Sequence, residues 1–231
     1  MFKQKNIPII FFNREPVSLA PFKSYGKAYY VGTNAKNSGE LQGKIIINLW
    51  NNNREAIDLN DDGVLDYVML RGQQTNIGAQ EITKSVISTI ENAGIKTKQL
   101  TSSIANWDRK LARENTSTLF LQYGTGVEAI LANNDEMAIG AVEALQKYGY
   151  NLGDKKKTIV VVGIDATPEA QELIKKGFMA GSVFQDPSEI AKAIYTIGMN
   201  VHEGKEPLSD TPYKFDYTGI AIRLPYREYV V

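Results

Sequence analysis

The chain contains no cysteine, one histidine and no surplus of charge of either sign among its 231 residues. Without cysteine there are no disulfides, thiolate-bound metals or cysteine nucleophiles, though the compartment stays open. The lone His202 cannot build a metal cluster, and a Ser-His-Asp relay would have to be assembled around it alone, so it reads as a solvated helix end. Lys+Arg and Asp+Glu both number 26, which removes the bulk field that would draw nucleic acid or hold an anionic membrane surface. No apolar run approaches the roughly 20 residues of a membrane span. The opening MFKQKNIPIIFFNREP has too short an apolar core for a signal peptide and passes straight into strand-like sequence. Neither a signal peptide nor direct membrane insertion is expected in this chain.

What is present is globular: 43% hydrophobic and 23% charged residues, enough to bury a sizeable core. Short Val- and Ile-rich runs alternate with longer amphipathic stretches. Strands are expected at 7–13, 29–34, 64–72, 95–100, 127–134, 158–165, 179–186 and 218–225, with helices at 38–52, 79–93, 107–123, 136–148, 168–176 and 188–203. Most of these strands look apolar on both faces. The alternation predicts an α/β fold, a parallel sheet with helices on both faces, and ligands at the carboxyl ends of its strands. Those ends carry Asn13-Arg14, Gly72-Gln73-Gln74, Asn133-Asn134-Asp135, Asp165 and Gln185-Asp186. Fixed amides and carboxylates suit the hydroxyls of a neutral polyol, which need both donors and acceptors. The same residues can instead cap the helices that follow, as Asn134 or Asp135 could. Trp107, at a strand-to-helix junction, could stack on a sugar ring or seal its loop, whereas Trp50 reads as core.

An acidic loop stands apart. In Asp58-Leu59-Asn60-Asp61-Asp62-Gly63-Val64-Leu65-Asp66, oxygen side chains occupy loop positions one, three, five and nine, with glycine at six and the Val64 carbonyl available at seven. That is the spacing a Ca2+ loop uses. Position twelve is Met69 rather than the bidentate Glu of an EF-hand, so a carboxylate from elsewhere is required. The alternative is an Asx-rich turn with solvated charges.

Several stretches together resemble the D-galactose/D-glucose-binding family of type I periplasmic binding proteins: IPIIFFNREP, KAYYVGTNAKNSGELQG, DLNDDGVLDYVML, the WD at Trp107, VEAILANNDEMAIGAVEAL, VVGIDATPEA and IRLPY. The resemblance covers nearly the whole chain. It implies a type I periplasmic-binding-protein-like fold and a non-catalytic sugar-binding role in an ABC transporter or sugar-sensing system. It implies that Asn13, Asn134 and Asp165 hydrogen-bond sugar hydroxyls, that Arg14 stands at a family Lys, and that Trp107 stacks on the sugar. Glu128 matches the distant carboxylate of the calcium shell, giving Asp58, Asn60, Asp62, the Val64 carbonyl, Asp66 and Glu128 as Ca2+ ligands. Three departures stand out. Asn76-Ile77-Gly78 replaces a His-Pro-Asp segment, Ile82 occupies an Arg position, and Gln185 replaces an Asn. With Asn76 and Gln185 added to the ligand set, a galactose- or glucose-like monosaccharide with altered or weakened binding is expected.

The resemblance further implies a second lobe complete over 34–186 and 222–231, and a partial first lobe over 1–33 and 187–221, whose exposed sheet edges could support a dimer. Implied partners are ABC transporter membrane subunits or a sensor or chemoreceptor, in a periplasmic or cell-surface setting and without nucleic acid. The competing readings are the effector domain of a lactose-repressor-like regulator and a sensor co-receptor that no longer binds sugar. An enzyme using Asp165 and Glu128 as an acid/base pair is disfavoured, because the two fall at opposite ends of parallel strands.

Overall fold

The computed structural model describes residues 2–231, which form two compact units. One comprises residues up to Asn34 together with Asp186–Pro225; the other comprises Ala35–Gln185 with Tyr226–Val231.

The larger unit is built on a six-stranded sheet. Its strands are β3 (Val64–Arg71), β4 (Lys96–Ile104), β5 (Ala129–Ala132), β6 (Val160–Asp165), β7 (Gly181–Phe184) and β9 (Arg227–Tyr229), in the order β4-β3-β5-β6-β7-β9. All neighbours are parallel except β7 and β9. The inner strands are apolar on both faces because both are covered. Leu65, Tyr67, Met69, Ala129, Leu131, Val160, Val162 and Ile164 pack on α2 (Ala35–Asn52) and α3 (Ile77–Asn92). Val68, Leu70, Ile130, Ala132 and Val161, the alternate residues, pack on α4 (Arg109–Tyr123), α5 (Asp135–Lys147) and α6 (Pro168–Lys175).

The smaller unit holds a parallel sheet of β1 (Ile9–Phe12), β2 (Ala28–Gly32) and β8 (Ala221–Arg223), in the order β1-β2-β8. Helix α7 (Pro187–His202) closes one face by packing Ala193 and Ile197 on Tyr29, Val31 and Ile222. The short helix α1 (Ala20–Lys23) brings Phe22 to 4.6 Å from Phe11.

The α/β layout expected from the sequence is the one observed, but helix α1 was not expected, several strands are shorter than their apolar runs, and four differences bear on the site and the units. The strand read as 95–100 runs on to Ile104: it is a sheet edge, and its polar alternation hides its length. Helix α4 begins after Trp107, because Asp108 is its cap and accepts the Leu111 N–H at 2.7 Å. The three-residue strand β9, which starts two residues after Pro225, was not anticipated. Residues 222–225, expected with the larger lobe, lie in the smaller unit because β8 pairs with β2 and the Leu224 N–H donates to the Gly32 carbonyl.

Helices α4 and α5 meet closely at Gly140, where an added Cβ would stand 2.2 Å from the Arg109 carbonyl oxygen. Since that neighbour is backbone, Gly140→Ala is expected to destabilise the chain by about 1–3 kcal/mol, seen as a drop of several degrees in the thermal midpoint. An unmoved midpoint would refute this packing.

Candidate functional site

The strand order reverses direction between β3 and β5, since β4 lies on one side and β6 and β7 on the other. Such a switch point opens a crevice beyond the carboxyl ends of the strands. Gly72 follows β3 there, and Asn133 and Asn134 follow β5. The buried Asn133 ties them together, accepting the Gly72 N–H through Oδ1 at 3.1 Å and donating from Nδ2 to Thr83 Oγ1 at 3.2 Å. Gly72 is in turn covered by Trp107, whose indole lies where a Cβ would be, 2.1 Å from its nearest ring atom. Trp107 and Asn106 have φ of 68° and 52°, the left-handed region that non-glycine residues seldom visit. The indole is thus a half-buried plate with one side against backbone.

Of Asn134 and Asp135, it is Asn134 that caps α5, its Oδ1 accepting the Met137 N–H at 3.1 Å; Asn76, not expected as a cap, accepts the Ala79 N–H through Oδ1 at 3.0 Å. Each cap uses the amide oxygen and leaves the NH2 as the group with which a ligand could be met. Ile82, at the position where the resemblance expects Arg, is buried in the core against α2 and the sheet.

Asp165 ends β6 with φ of 115°, and Ala166 follows at 48°. The Asp165 carbonyl accepts the Gln185 N–H at 3.2 Å. Beside this turn lies Asp135, fully buried at the start of α5. It accepts Ser182 Oγ–H at 2.6 Å through Oδ1 and the Thr167 N–H at 2.7 Å through Oδ2. Burial, outweighing these hydrogen bonds, pushes the Asp135 carboxyl up to about 6. The Asp165 carboxyl is raised as well, by burial first and then by repulsion from Asp135 and Glu136.

In the smaller unit, Asn13 leaves β1 with φ of 57°. Its carbonyl accepts Tyr30 Oη–H at 2.8 Å, and Arg14 beyond it is exposed. Arg223 supports the same loop: it pairs with Glu15 and Asp216 while its guanidinium lies 4.9 Å from the centre of the Tyr30 ring.

The acidic loop sits at the opposite, amino-terminal end of β3 and β5. Glu128, 1% exposed, reaches it. Its Oε1 accepts the Leu59 N–H at 2.7 Å and the Asn60 N–H at 3.3 Å, and its Oε2 accepts the Asp66 N–H at 2.9 Å. Asp58 accepts N–H groups from Asp62 and Gly63, Asn60 from Asp62, and Asp62 from Val64. Arg54 adds an ion pair to Asp58 at 2.6 Å, and Lys98 one to Asp66 at 3.2 Å. Among the described residues, no three acidic or imidazole side chains form a ready cation cage. The donors are nonetheless all hard oxygens, and Asp66 Oδ1 is buried with no hydrogen-bond partner, which fits a hard cation. Burial raises the Glu128 carboxyl against its backbone donors.

Sequence reasoning did not foresee the Asp135–Ser182 pair, the Tyr30–Arg223 support of Asn13 or the Arg54–Asp58 pair. Only the last left a trace, a four-residue spacing suited to one helical turn.

A family model described as a periplasmic binding protein domain matches residues 2–206. The chain belongs to the periplasmic binding proteins. It is 38% identical over 225 residues to the D-galactose/methyl-galactoside-binding periplasmic protein of Haemophilus influenzae, covering 97% of this chain and 65% of that protein. It is 32% identical over 202 residues to a putative rhizopine-binding protein of Rhizobium meliloti, covering 86% of this chain and 59% of that one. Among solved structures, an ABC transporter solute-binding protein of Bacillus halodurans with bound myo-inositol superposes with a TM-score of 0.75 at 27% identity, over all of this chain and 68% of the other. A solute-binding protein of Actinobacillus succinogenes with bound D-allose gives 0.77 at 20% identity, over 99% and 71%. This periplasmic binding protein chain therefore spans about two thirds or less of the two curated relatives described. Those relatives are binding proteins and not enzymes, and Glu128 and Asp165 do lie at opposite strand ends, so the acid/base pair is set aside. Among the described residues no helix is long and apolar enough to cross a membrane.

The raised Asp135 pKa has a definite sign in solution. The folded state holds this proton more tightly than the unfolded state, so the contribution is fully present below about pH 4 and is lost as pH rises through about 6. Relative to Asp135→Asn, the wild-type chain is expected to lose on the order of 3 kcal/mol of stability across that window. Urea titrations of both proteins at several pH values would check this, and parallel curves would count against a buried, proton-holding Asp135.

Proposed function

We propose that this chain is the sugar-binding portion of a calcium-braced solute-binding protein that serves an ABC transporter or a sugar sensor. The observation that carries the reading is that Trp107 and Asp165, in the larger unit, lie at the carboxyl ends of strands in backbone with φ of 68° and 115°. Such conformations persist where surrounding structure over-determines them, and they gather at functional sites. The ligands named for the relatives, galactose in the Haemophilus protein and myo-inositol in the Bacillus structure, support a neutral polyhydroxylated ring.

In this reading Trp107 stacks on the apolar face of the ring. The Asn134 NH2 donates to a hydroxyl, Asp165 accepts from one while ionised, and Asn76 and Gln185 supply further donors and acceptors. The specificity departs from a galactose- or glucose-type site, because Ile82 is buried core and Asn76 Oδ1 is engaged in capping. A lost hydrogen bond to a charged group is worth about 1.5–3 kcal/mol. Ca2+ would be held by Asp58, Asn60, Asp62, the Val64 carbonyl, Asp66 and Glu128, where its charge would offset the repulsion among the carboxylates. The setting is periplasmic or cell-surface, and the free edges of β1 and β8 are where two chains could pair. Light scattering tests that pairing; a monomer at all concentrations sinks it.

Calorimetry with D-galactose, D-glucose, D-allose, D-ribose and myo-inositol, with calcium present, is expected to show saturable binding of at least one that Trp107→Ala abolishes. Heat from none of the five would overturn the polyol reading. Separately, Ca2+ at about a hundred times its Kd should stabilise the fold by about 2.7 kcal/mol, raising the thermal midpoint by roughly 5–10 °C. EGTA should reverse that rise and Asp62→Ala should abolish it. A midpoint indifferent to calcium, EGTA and the substitution would remove the metal from the proposal.

A further inference from the structure

The turn that presents Asp165 is held from behind. Residues Gly163 and Ser182 face each other across the β6–β7 pair and point toward α5, since Ile164 and Val183 beside them belong to the core on the opposite face. Both are small, and the space they leave is filled by Asp135: a Cβ on Gly163 would stand 2.2 Å from Asp135 Oδ1. Asn134 already caps α5, so the Asp135 carboxylate is directed to the neighbouring loop and not to its own helix. It accepts the Thr167 N–H at 2.7 Å and the Ser182 hydroxyl at 2.6 Å, and Ser182 Oγ accepts the Ala166 N–H at 3.0 Å. Asp135 and Ser182 are both fully buried. The two N–H groups they bind belong to the residues immediately after Asp165, in a turn with φ of 115° at Asp165 and 48° at Ala166.

Resting on the polyol reading above, we propose that Asp135 and Ser182 form a clamp that fixes the strained turn and thereby aims the Asp165 side chain at its ligand. They are positioning residues and touch no ligand themselves. A carboxylate suits the task because it accepts two hydrogen bonds in different directions without needing a donor of its own. An apolar residue of the same volume would leave the Thr167 N–H buried and unsatisfied.

The test compares the wild-type chain with Ser182→Ala, Asp135→Ala and Asp135→Asn, using the same five polyols with calcium present, at a low temperature where circular dichroism shows every variant folded. Ser182→Ala and Asp135→Ala are each expected to lose about tenfold or more in affinity. Asp135→Asn is expected to recover part of the loss, because an amide can accept from Thr167 and donate to Ser182. A role confined to stability would lower the melting temperature of all three and leave the affinity of the folded protein unchanged, and that outcome overturns the clamp. If the wild-type chain binds none of the five, the polyol reading fails. Amide exchange then judges the clamp separately. Slow exchange at Ala166 and Thr167 in the wild type that becomes fast in Ser182→Ala sustains it, and equal exchange in the two proteins overturns it.

Discussion

The pairing of Asp66 with Glu128 fixes the register on which the larger unit depends. The Asp66 N–H donates to the Glu128 carboxylate, and the Glu128 N–H donates to the Asp66 carbonyl at 2.9 Å. The same two residues are thus joined through side chain and backbone at the start of the β3–β5 pair. A slip of one residue would exchange every inward and outward side chain of a strand. It would also break the carboxylate's hold on Leu59 and Asn60. Because β3 and β5 flank the switch point, their register also decides which residues emerge at the other end: Gly72 beside Asn133, with the Trp107 indole laid over it. The acidic loop and the crevice at the switch point are therefore two ends of one pair of strands.

Buried carboxylates recur through this unit, and Glu128, Asp58 and Asp135 each accept backbone N–H groups. Glu128 takes three and Asp58 takes two beside its Arg54 pair, while Asp135 takes one along with the Ser182 hydroxyl. Leaving such a charge unpaired in a low-dielectric interior is costly, so each carboxylate holds its loop in the one conformation that brings those N–H groups to it. Asp66 Oδ1 breaks the pattern. Its lack of a donor sets the acidic loop apart from the Asp135 network, where both carboxylate oxygens have one.

Much of the fold could be read from the sequence because the signals that specify it are local. β5 is an unbroken apolar run and β3 and β6 are mostly apolar, and the helices after β3, β4, β5 and β6 open on Asn76, Asp108, Asn134 and Thr167 acting as caps. β4 was read short because only one of its faces is covered, and its apolar signal fades after Leu100. The site was legible as a set of residue types at strand ends, and the calcium loop as a spacing. The role of Asp135 was not legible, since it arises only when β7 carries Ser182 alongside β6, forty-seven positions later in the chain. The support of Asn13 likewise needs Arg223 and Glu15, separated by 208 positions, to meet. Contacts of that range come from topology, and local pattern does not encode them.

Local pattern also could not separate capping from binding at Asn76 and Asn134, and the geometry makes the two compatible. An N-cap engages the side-chain oxygen with the helix and directs the amide nitrogen away from it. The cap thus fixes the rotamer of a donor that would otherwise lose conformational freedom when it met a ligand. The same economy applies at Trp107, where contact with the Gly72 backbone immobilises the indole before anything stacks on it, and at Asp165, where the turn is held by groups behind it. With Ile82 withdrawn into the core, recognition in this unit rests, on the proposed reading, on few polar groups, and a site with few contacts keeps affinity only if each is already in place.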